Sequence, residues 1–271
     1  MNESSDPALA VAAVWCYEHG ALTPHPDTLA VEAPLTMHIG SAKVTTLRTP
    51  GADAELAAGF ALGEGLLAGG RHIVAIEQRS PDALAITLSQ PMPPSWGRHT
   101  VVSAACGACG GQGYHLEEGL QPVASRLSVA PELLLELPQR LRQAQQVFGA
   151  TGGLHGCALF DATGSLIACR EDVGRHNALD KLMGWALLQG LLPLSAHILM
   201  LSGRAGSELL SKAIRAGIAV VASVSAPSSL AVDLAQRFGV TLVGFVRGER
   251  FVCYSHPWRL GCLEAVKAMS S

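Results

Sequence analysis

Charge is scarce in this chain. Only 15% of its 271 residues are Asp, Glu, Lys or Arg, and the formal net charge is -3. That balance excludes a broad basic surface for nucleic acid or a polyanionic membrane, while leaving room for small local anion sites. Cysteine is sparse too: seven, an odd number, is too few for a disulfide framework in a chain this long. The apolar run from Ala8 to Trp15 is preceded by no Lys or Arg, so it does not read as a secretory signal. With the cysteine usage, this predicts a reducing, cytoplasmic setting. No internal repeat or low-complexity segment is visible. One uncharged stretch, Leu182 to Gly203, has the length of a membrane span, but Gln189, Gly190 and Pro193 interrupt it. It reads as the end of a buried helix, a turn and a buried strand, His197 to Leu201.

What the chain has is apolar residues, 49% of the total, enough for a sizeable core. Residues 1–25 read as a flexible leader ending at Pro24 and Pro26. Residues 26–125 read as a small α+β part: strands at Leu35–Ile39 and Lys43–Arg48, a helix from Asp53 to Leu67, then strands near His72–Glu77 and Ala83–Leu88. In that helix Leu56, Phe60 and Leu67 mark the core face. Residues 126–271 read as an α/β domain. Pro131 and Pro138 each suit the first turn of a short helix, and a hairpin is predicted around Ala162, Thr163 and Gly164. A helix from His176 to Gln189 follows. Strand and helix then alternate through Ala196–Leu201, Ser207–Ala216, Ile218–Ser223, Ser228–Phe238 and Thr241–Val246. Such alternation predicts a largely parallel sheet with helices on both faces.

The most distinctive segment is Ser103 to Gly113, in which Cys106 and Cys109 stand three apart among Gly107, Gly110, Gly111 and Gly113. So many glycines predict a mobile loop. A redox Cys-x-x-Cys places its first sulfur at a helix start, where the thiol pKa falls. No helix starts readily here, so sulfur delivery fits better than disulfide exchange. The spacing also matches structural zinc, but no second ligand pair completes such a site. Cys157, Cys169, Cys253 and Cys262 read as small core residues.

Three further segments carry polar groups at predicted strand ends, where open α/β sheets place ligands. Glu171 to Lys181 enters a helix on which His176 can reach Asp180, and Asn177 can reach Lys181, at i, i+4 spacing. It is either a solvated helix start with ordinary ion pairs or part of a ligand site. Ser202-Gly203-Arg204 precedes a helix that Ser207 can cap, and its arginine suits a phosphate. Phe245-Val246-Arg247-Gly248-Glu249-Arg250 sets two arginines around a glycine after a buried strand, as a phosphorylated, ring-bearing ligand or a plain surface hairpin requires.

Taken together, Thr49-Pro50-Gly51, the cysteine loop, Thr151 to His155, Asp172 to Lys181, Ser202 to Arg204, Ser225 to Pro227 and Gly244 to Phe251 resemble the formate dehydrogenase accessory sulfurtransferase family, FdhD. The likeness covers nearly the whole chain after the leader. It implies a cytoplasmic homodimer. Sulfur would come from a cysteine desulfurase, be held as a persulfide on the loop, and pass to the bis-guanylyl molybdopterin cofactor of a formate dehydrogenase not yet active. Cys106 and Cys109 are the implied catalytic residues. Phe245 to Arg250 are the implied cofactor contacts, with Ser202 and Arg204 as further candidates; no resident metal is implied. Gly248-Glu249 departs from the Pro-Gly of some relatives. The resemblance also implies that the C-terminal part has a cytidine deaminase-like three-layer α/β/α fold. Deaminases need His-x-Glu and Pro-Cys-x-x-Cys. Here the corresponding strand reads His155-Gly156-Cys157 and no Pro-Cys-x-x-Cys follows, so deamination is not expected. Cys109 could resolve the Cys106 persulfide or hold sulfur itself. A non-catalytic chaperone for the cofactor is the alternative to a sulfur relay.

Overall fold

The computed structural model of the chain describes residues 2–3, 6–92, 100–102 and 117–261. The cysteine loop with Cys106 and Cys109, and Cys262, lie outside the described residues.

The first described elements correct the expectation of a flexible leader. Strands β1 (Asn2–Glu3), β2 (Leu9–Glu18) and β3 (Ala21–Ala30) form an antiparallel sheet in which Glu18 pairs with Ala21. The two-residue turn is His19-Gly20, with φ of 51° and 84°, the doubly left-handed geometry that tight hairpins favour. Pro24 and Pro26 are two apart on an edge strand, so their missing donors fall on one side, toward the free edge.

A five-stranded sheet follows, in the order β6-β7-β4-β5-β8. Its strands are β4 (Ala33–Ile39), β5 (Ala42–Arg48), β6 (Ile73–Ser80), β7 (Ala83–Leu88) and β8 (Thr100–Val102), with helix α1 (Asp53–Gly63) between β5 and β6. Alternation turns Leu35, Met37, Ile39, Val44, Leu84 and Ile86 inward against Leu56 and Phe60 of α1. The helix is buried beyond that one face: Ala57, Ala58, Gly59, Ala61 and Gly63 are covered as well. It lies between this sheet and the helix α4 described next.

The rest of the chain builds α2 (Pro131–Ala144), α3 (Gln146–Thr151), β9 (His155–Phe160), β10 (Leu166–Asp172), α4 (Arg175–Leu188), β11 (Ile198–Leu201), α5 (Ser207–Arg215), β12 (Val220–Ser223), α6 (Ser229–Phe238), β13 (Thr241–Arg247) and β14 (Arg250–Ser255). The sheet runs β10-β9-β11-β12-β13-β14. It is parallel only at its centre, β11-β12-β13; β9, β10 and β14 run antiparallel to their neighbours. The expected largely parallel sheet fails at its margins because short connections join β9 to β10 and β13 to β14, and such connections permit only antiparallel pairing. Alternate residues face opposite layers: Leu199, Leu201, Val221 and Leu242 pack under α4, α5 and α6. Ile198, Met200, Val220 and Val243 pack under α2. Three layers result, with helices on both faces. Leu120 and Val123 join the α4–α6 core, so the chain is already part of this unit before residue 126.

Pro131 opens α2 as expected, but Pro138 lies inside that helix rather than starting a second one. An interior proline costs roughly 3 kcal/mol. Leu134, Leu137 and Leu141 are all buried on one side, and burying three such side chains offsets that cost at about 1.5–3 kcal/mol each.

Candidate strand-end site

The ends of β10, β11, β12 and β13 and the start of β9 meet along one margin of the six-stranded sheet. Hydrogen bonds between their loops set its shape. The Ser223 hydroxyl donates to the carbonyls of Gly203 (2.6 Å) and Ser225 (3.0 Å). The Ser225 carbonyl also accepts from the Phe245 N–H at 3.1 Å, and the Ala205 N–H donates to the Ala226 carbonyl at 3.2 Å. A continuous network therefore links the Ser202–Arg204 loop, the Ser225–Pro227 loop and Phe245. The sequence named all three separately; the fold brings them together.

Within this margin the candidates differ. The Ser202 hydroxyl accepts the Gly156 N–H at 2.9 Å, leaving its own proton to donate. Arg204 is exposed. Ser207 does not cap α5: it is the first helical residue, and Gly206 holds the cap position without a side-chain bond. The equivalent cap on α6 is genuine, Ser228 accepting the Ala231 N–H at 3.2 Å.

Phe245 to Arg250 form the end of β13 and the turn into β14. Phe245 has φ of 54°, a left-handed conformation costing a residue with a Cβ about 1–2 kcal/mol. It stands at a register shift between Gly244 and Arg247, while Val246 is fully buried. Arg247 and Arg250 face each other across the ladder, and the Arg247 guanidinium lies 5.5 Å from the Phe245 ring. Gly248 (φ 58°) and Glu249 make the exposed turn. The hairpin reading of this segment is thus correct in form.

The Glu171–Lys181 segment is not a solvated helix start. Asp172 is 0% exposed and Lys181 2%; Asn177 and Lys181 converge on Asp172, while His176 and Asp180 take separate partners on α5. Lys181 Nζ lies 2.8 Å from Asp172 and donates to the Thr49 carbonyl at 2.8 Å. Asp172 also accepts from the N–H groups of Thr49 (3.1 Å) and Gly174 (2.9 Å) and from Asn177 (3.0 Å). Asn177 donates to the Leu47 carbonyl at 2.7 Å. His176 pairs with Glu208 at 2.9 Å, and Asp180 with Lys212 at 2.7 Å. Glu171 accepts from Val147 and Phe148 at the start of α3. Arg170 binds Glu55 of α1 through both carboxylate oxygens, at 2.5 and 2.8 Å. The segment therefore fastens β5, α1 and the Thr49 turn to the six-stranded sheet. Thr49, Glu208 and Lys212 were missed as its partners; in the helical pattern of α5 Lys212 falls with Glu208 on the polar side, away from Leu209, Leu210, Ala213 and Ile214, so nothing in the sequence marked it for burial.

Ionisation follows from this packing. Burial pushes Asp180 up to about 6, against the opposing pull of Lys212. Lys212 is disfavoured by its own burial, but Asp180 and Glu64 outweigh that and hold it above its ordinary value. The hydrogen bond from His176 lowers Glu208. Burial, then Arg175 and His176, lower His155. Burial raises the Cys157 thiol and takes Cys169 to about 12, so both stay protonated and unreactive near neutral pH. A separate cleft lined by His38, Gly40, Arg79 and Met92 lies at the far end of β4 and β5 from Thr49.

A family model described as the FdhD/NarQ family matches residues 30–261. A sulfur carrier protein FdhD from Mycolicibacterium paratuberculosis is 44% identical over 258 residues, covering 89% of this chain and 95% of its own. Its counterpart from Anaeromyxobacter dehalogenans is 43% identical over 285 aligned positions, covering 96% and 97%. A crystal structure from Desulfotalea psychrophila, described as that of a formate dehydrogenase accessory protein, shares the fold with a TM-score of 0.75 at 24% identity; it covers 94% of this chain and 100% of that one. With the model spanning that range and relatives above 40% identity along most of their length, the chain belongs to the FdhD/NarQ family.

Proposed function

We propose that the protein carries sulfur for the maturation of a formate dehydrogenase, taking it from a cysteine desulfurase and giving it to the bis-guanylyl molybdopterin cofactor. The names of its relatives, sulfur carrier protein FdhD, support the carrier role. The observation that carries the cofactor reading is the network joining Ser202–Arg204, Ser225 and Phe245 at one sheet margin. Two arginines directly opposite each other repel, and neither Arg247 nor Arg250 has a carboxylate partner among the described residues. An anionic ligand would offset that repulsion. The strained Phe245 beside Arg247 offers a ring surface for a base, and backbone strain of this kind clusters at ligand sites. We further read the six-stranded sheet as deaminase-like. Its chemistry is not retained, since α4 opens on Gly174-Arg175-His176 and α5 on Gly206-Ser207.

In this reading the Cys106 thiolate attacks the outer sulfur of the donor's persulfide. The donor's S–S bond breaks, the donor leaves as a thiolate, and Cys106 becomes the persulfide with no net oxidation. Cys109 then attacks the inner sulfur of that persulfide. Hydrosulfide leaves toward the bound cofactor as two thiols are oxidised to a Cys106–Cys109 disulfide, which a cellular dithiol reduces. Holding the cofactor on the same protein makes delivery intramolecular. The reading also includes a homodimer acting in the cytoplasm; among the described residues no helix is long and apolar enough to cross a membrane.

The test is intact-mass analysis after incubation with a cysteine desulfurase and cysteine. The wild-type chain should gain about 32 Da, one sulfur atom, and Cys106→Ala should not. A Cys106→Ala protein that still restores full dehydrogenase activity in a deletion strain would refute the relay and leave a cofactor chaperone.

A further inference from the structure

We propose that His155 is a further ligand-contacting residue of the strand-end site, where its imidazole takes up a proton as the phosphate of a guanine nucleotide binds. The inference rests on the reading that guanine-nucleotide groups occupy this margin.

Its basis is placement. His155 is the first residue of β9 and lies directly across the ladder from Asp172. Its ring rests over the Ser202–Arg204 loop: a Cβ on Gly203 would stand 3.3 Å from His155 Nδ1 and 3.4 Å from Cε1. The next residue, Gly156, exchanges hydrogen bonds with Ser202 in both directions, through the Ser202 hydroxyl (2.9 Å) and the Gly156 carbonyl (3.0 Å). That clamp fixes the imidazole beside two of the candidate cofactor residues. The ring is half-buried, and no hydrogen bond to either of its nitrogens is formed among the described residues.

The charges around it select the ligand. From β10 it faces Asp172, whose oxygens are already taken by Lys181, Asn177 and the N–H groups of Thr49 and Gly174. From α4 it faces Arg175 and His176, and His176 is engaged by Glu208 of α5. Arg204 belongs to the loop under the ring and is exposed. The unspent charge near His155 is therefore positive, carried by Arg175 and Arg204. Burial first, and then the charge of Arg175 and His176, disfavour a proton on the imidazole while the site is empty and lower its pKa, against the opposing pull of Asp172. A phosphate reverses the sign. Its oxygens accept from both guanidinium groups and from the ring, and its negative charge favours the imidazolium. The proton comes from solvent, and no covalent bond changes.

Calorimetric titration of the full-length protein with GDP, repeated in buffers of different ionisation enthalpy between pH 6.5 and 8, tests this. The unchanged protein should take up close to one proton per GDP near neutrality, in excess of His155→Gln, and bind several-fold more tightly at pH 6.5 than at pH 8. In His155→Gln the excess uptake should vanish and GDP should bind about tenfold more weakly at pH 6.5. The terminal phosphate of GDP titrates in both proteins and cancels in the comparison. Histidine proton resonances of the unchanged protein give a second, mutation-free readout, in which saturating GDP should raise the His155 pKa. Equal proton uptake and equal affinity in the two proteins, or an unmoved His155 resonance, would overturn the proposal while leaving nucleotide binding intact. Failure of GDP to bind the unchanged protein would overturn the nucleotide reading of this margin and the proposal with it.

Discussion

Gly59 of α1 and Gly184 of α4 lie against each other where the two helices cross. A Cβ on Gly184 would stand 1.8 Å from the Glu55 carbonyl oxygen and 2.6 Å from the Gly59 nitrogen. A Cβ on Gly59 would stand 1.8 Å from the Asp180 carbonyl oxygen. The obstructing atoms are backbone, so no rotamer change relieves the clash and the helices must separate. Gly59→Ala and Gly184→Ala should each destabilise the protein by about 3 kcal/mol, the upper end for overpacking. Urea unfolding checks this; a change within about 0.5 kcal/mol, as at ordinary surface positions, would contradict it. Because α1 carries the core of the five-stranded sheet, loss of this crossing would loosen the Glu55–Arg170 pair as well.

The Lys181–Asp172 pair predicts a second, larger asymmetry. Removing one member of a buried pair leaves an uncompensated charge, at a cost of about 3–5 kcal/mol. Lys181→Met should therefore destabilise far more than loss of the exposed Glu117–Arg237 pair, whose side chains are 39% and 57% exposed. Exposed pairs contribute about 0–1 kcal/mol. Arg237→Ala, measured in the same denaturant series, supplies the comparison. Equal effects would mean that the Asp172 cluster does not fasten the two sheets.

Asp180 predicts a pH dependence of definite sign. Its folded pKa of about 6 lies above the ordinary carboxylate value. Between about pH 4 and pH 6 the folded state therefore holds the proton more tightly than the unfolded chain, whose Asp titrates near 3.9. Stability from this group is present below that window and falls as pH rises through it, by up to about 1.4 kcal/mol per pH unit. Asp180→Asn removes this negative slope. Stability curves at pH 4.5, 5.0, 5.5 and 6.0 should rise more steeply with pH in the variant than in the wild type. Parallel curves would show that Asp180 is not shifted.

How much of this was legible in the sequence depends on whether the signal was local. Alternation and helical spacing placed α1, the β9–β10 hairpin and α4 to within a few residues, because each carries its own apolar pattern. The β2–β3 hairpin escaped because its turn is His19-Gly20, only half of the usual glycine-rich pair, and because Pro24 and Pro26 read as a break until their edge position is known. Pro138 escaped because what holds α2 together is the sheet beneath Leu134, Leu137 and Leu141. The Asp172–Lys181 segment was visible as a concentration of polar groups, but its partners Thr49, Glu208 and Lys212 lie 132, 32 and 32 residues away in sequence from Lys181, His176 and Asp180, which they bind. Spacing on one helix suggested i, i+4 pairs; tertiary packing supplied others. At the strand ends, each loop could be read singly, while their joining through Ser223 and Ser225 could not.

Arg247 and Arg250 provide the sharpest separation of binding from folding. They are exposed, face each other across β13 and β14, and have no carboxylate partner among the described residues. Like charges placed directly opposite destabilise a ladder, so replacing both with alanine should leave stability unchanged or raise it slightly. Arginine's forked, charge-assisted hydrogen bonds to phosphate contribute about 1.5–3 kcal/mol each. Losing them should weaken GDP binding by at least tenfold. Persulfide loading on Cys106 should be unchanged, since the proposed role of these arginines is to hold the nucleotide and not to take part in the thiol chemistry. Calorimetry with GDP, thermal unfolding and intact-mass analysis on the same double variant read the three quantities independently. Unchanged GDP affinity would remove these side chains from the site and move the nucleotide toward Ser202 and Arg204. Lost affinity together with a lower melting temperature would mean instead that the arginines support the hairpin, with Phe245 displaced as a consequence.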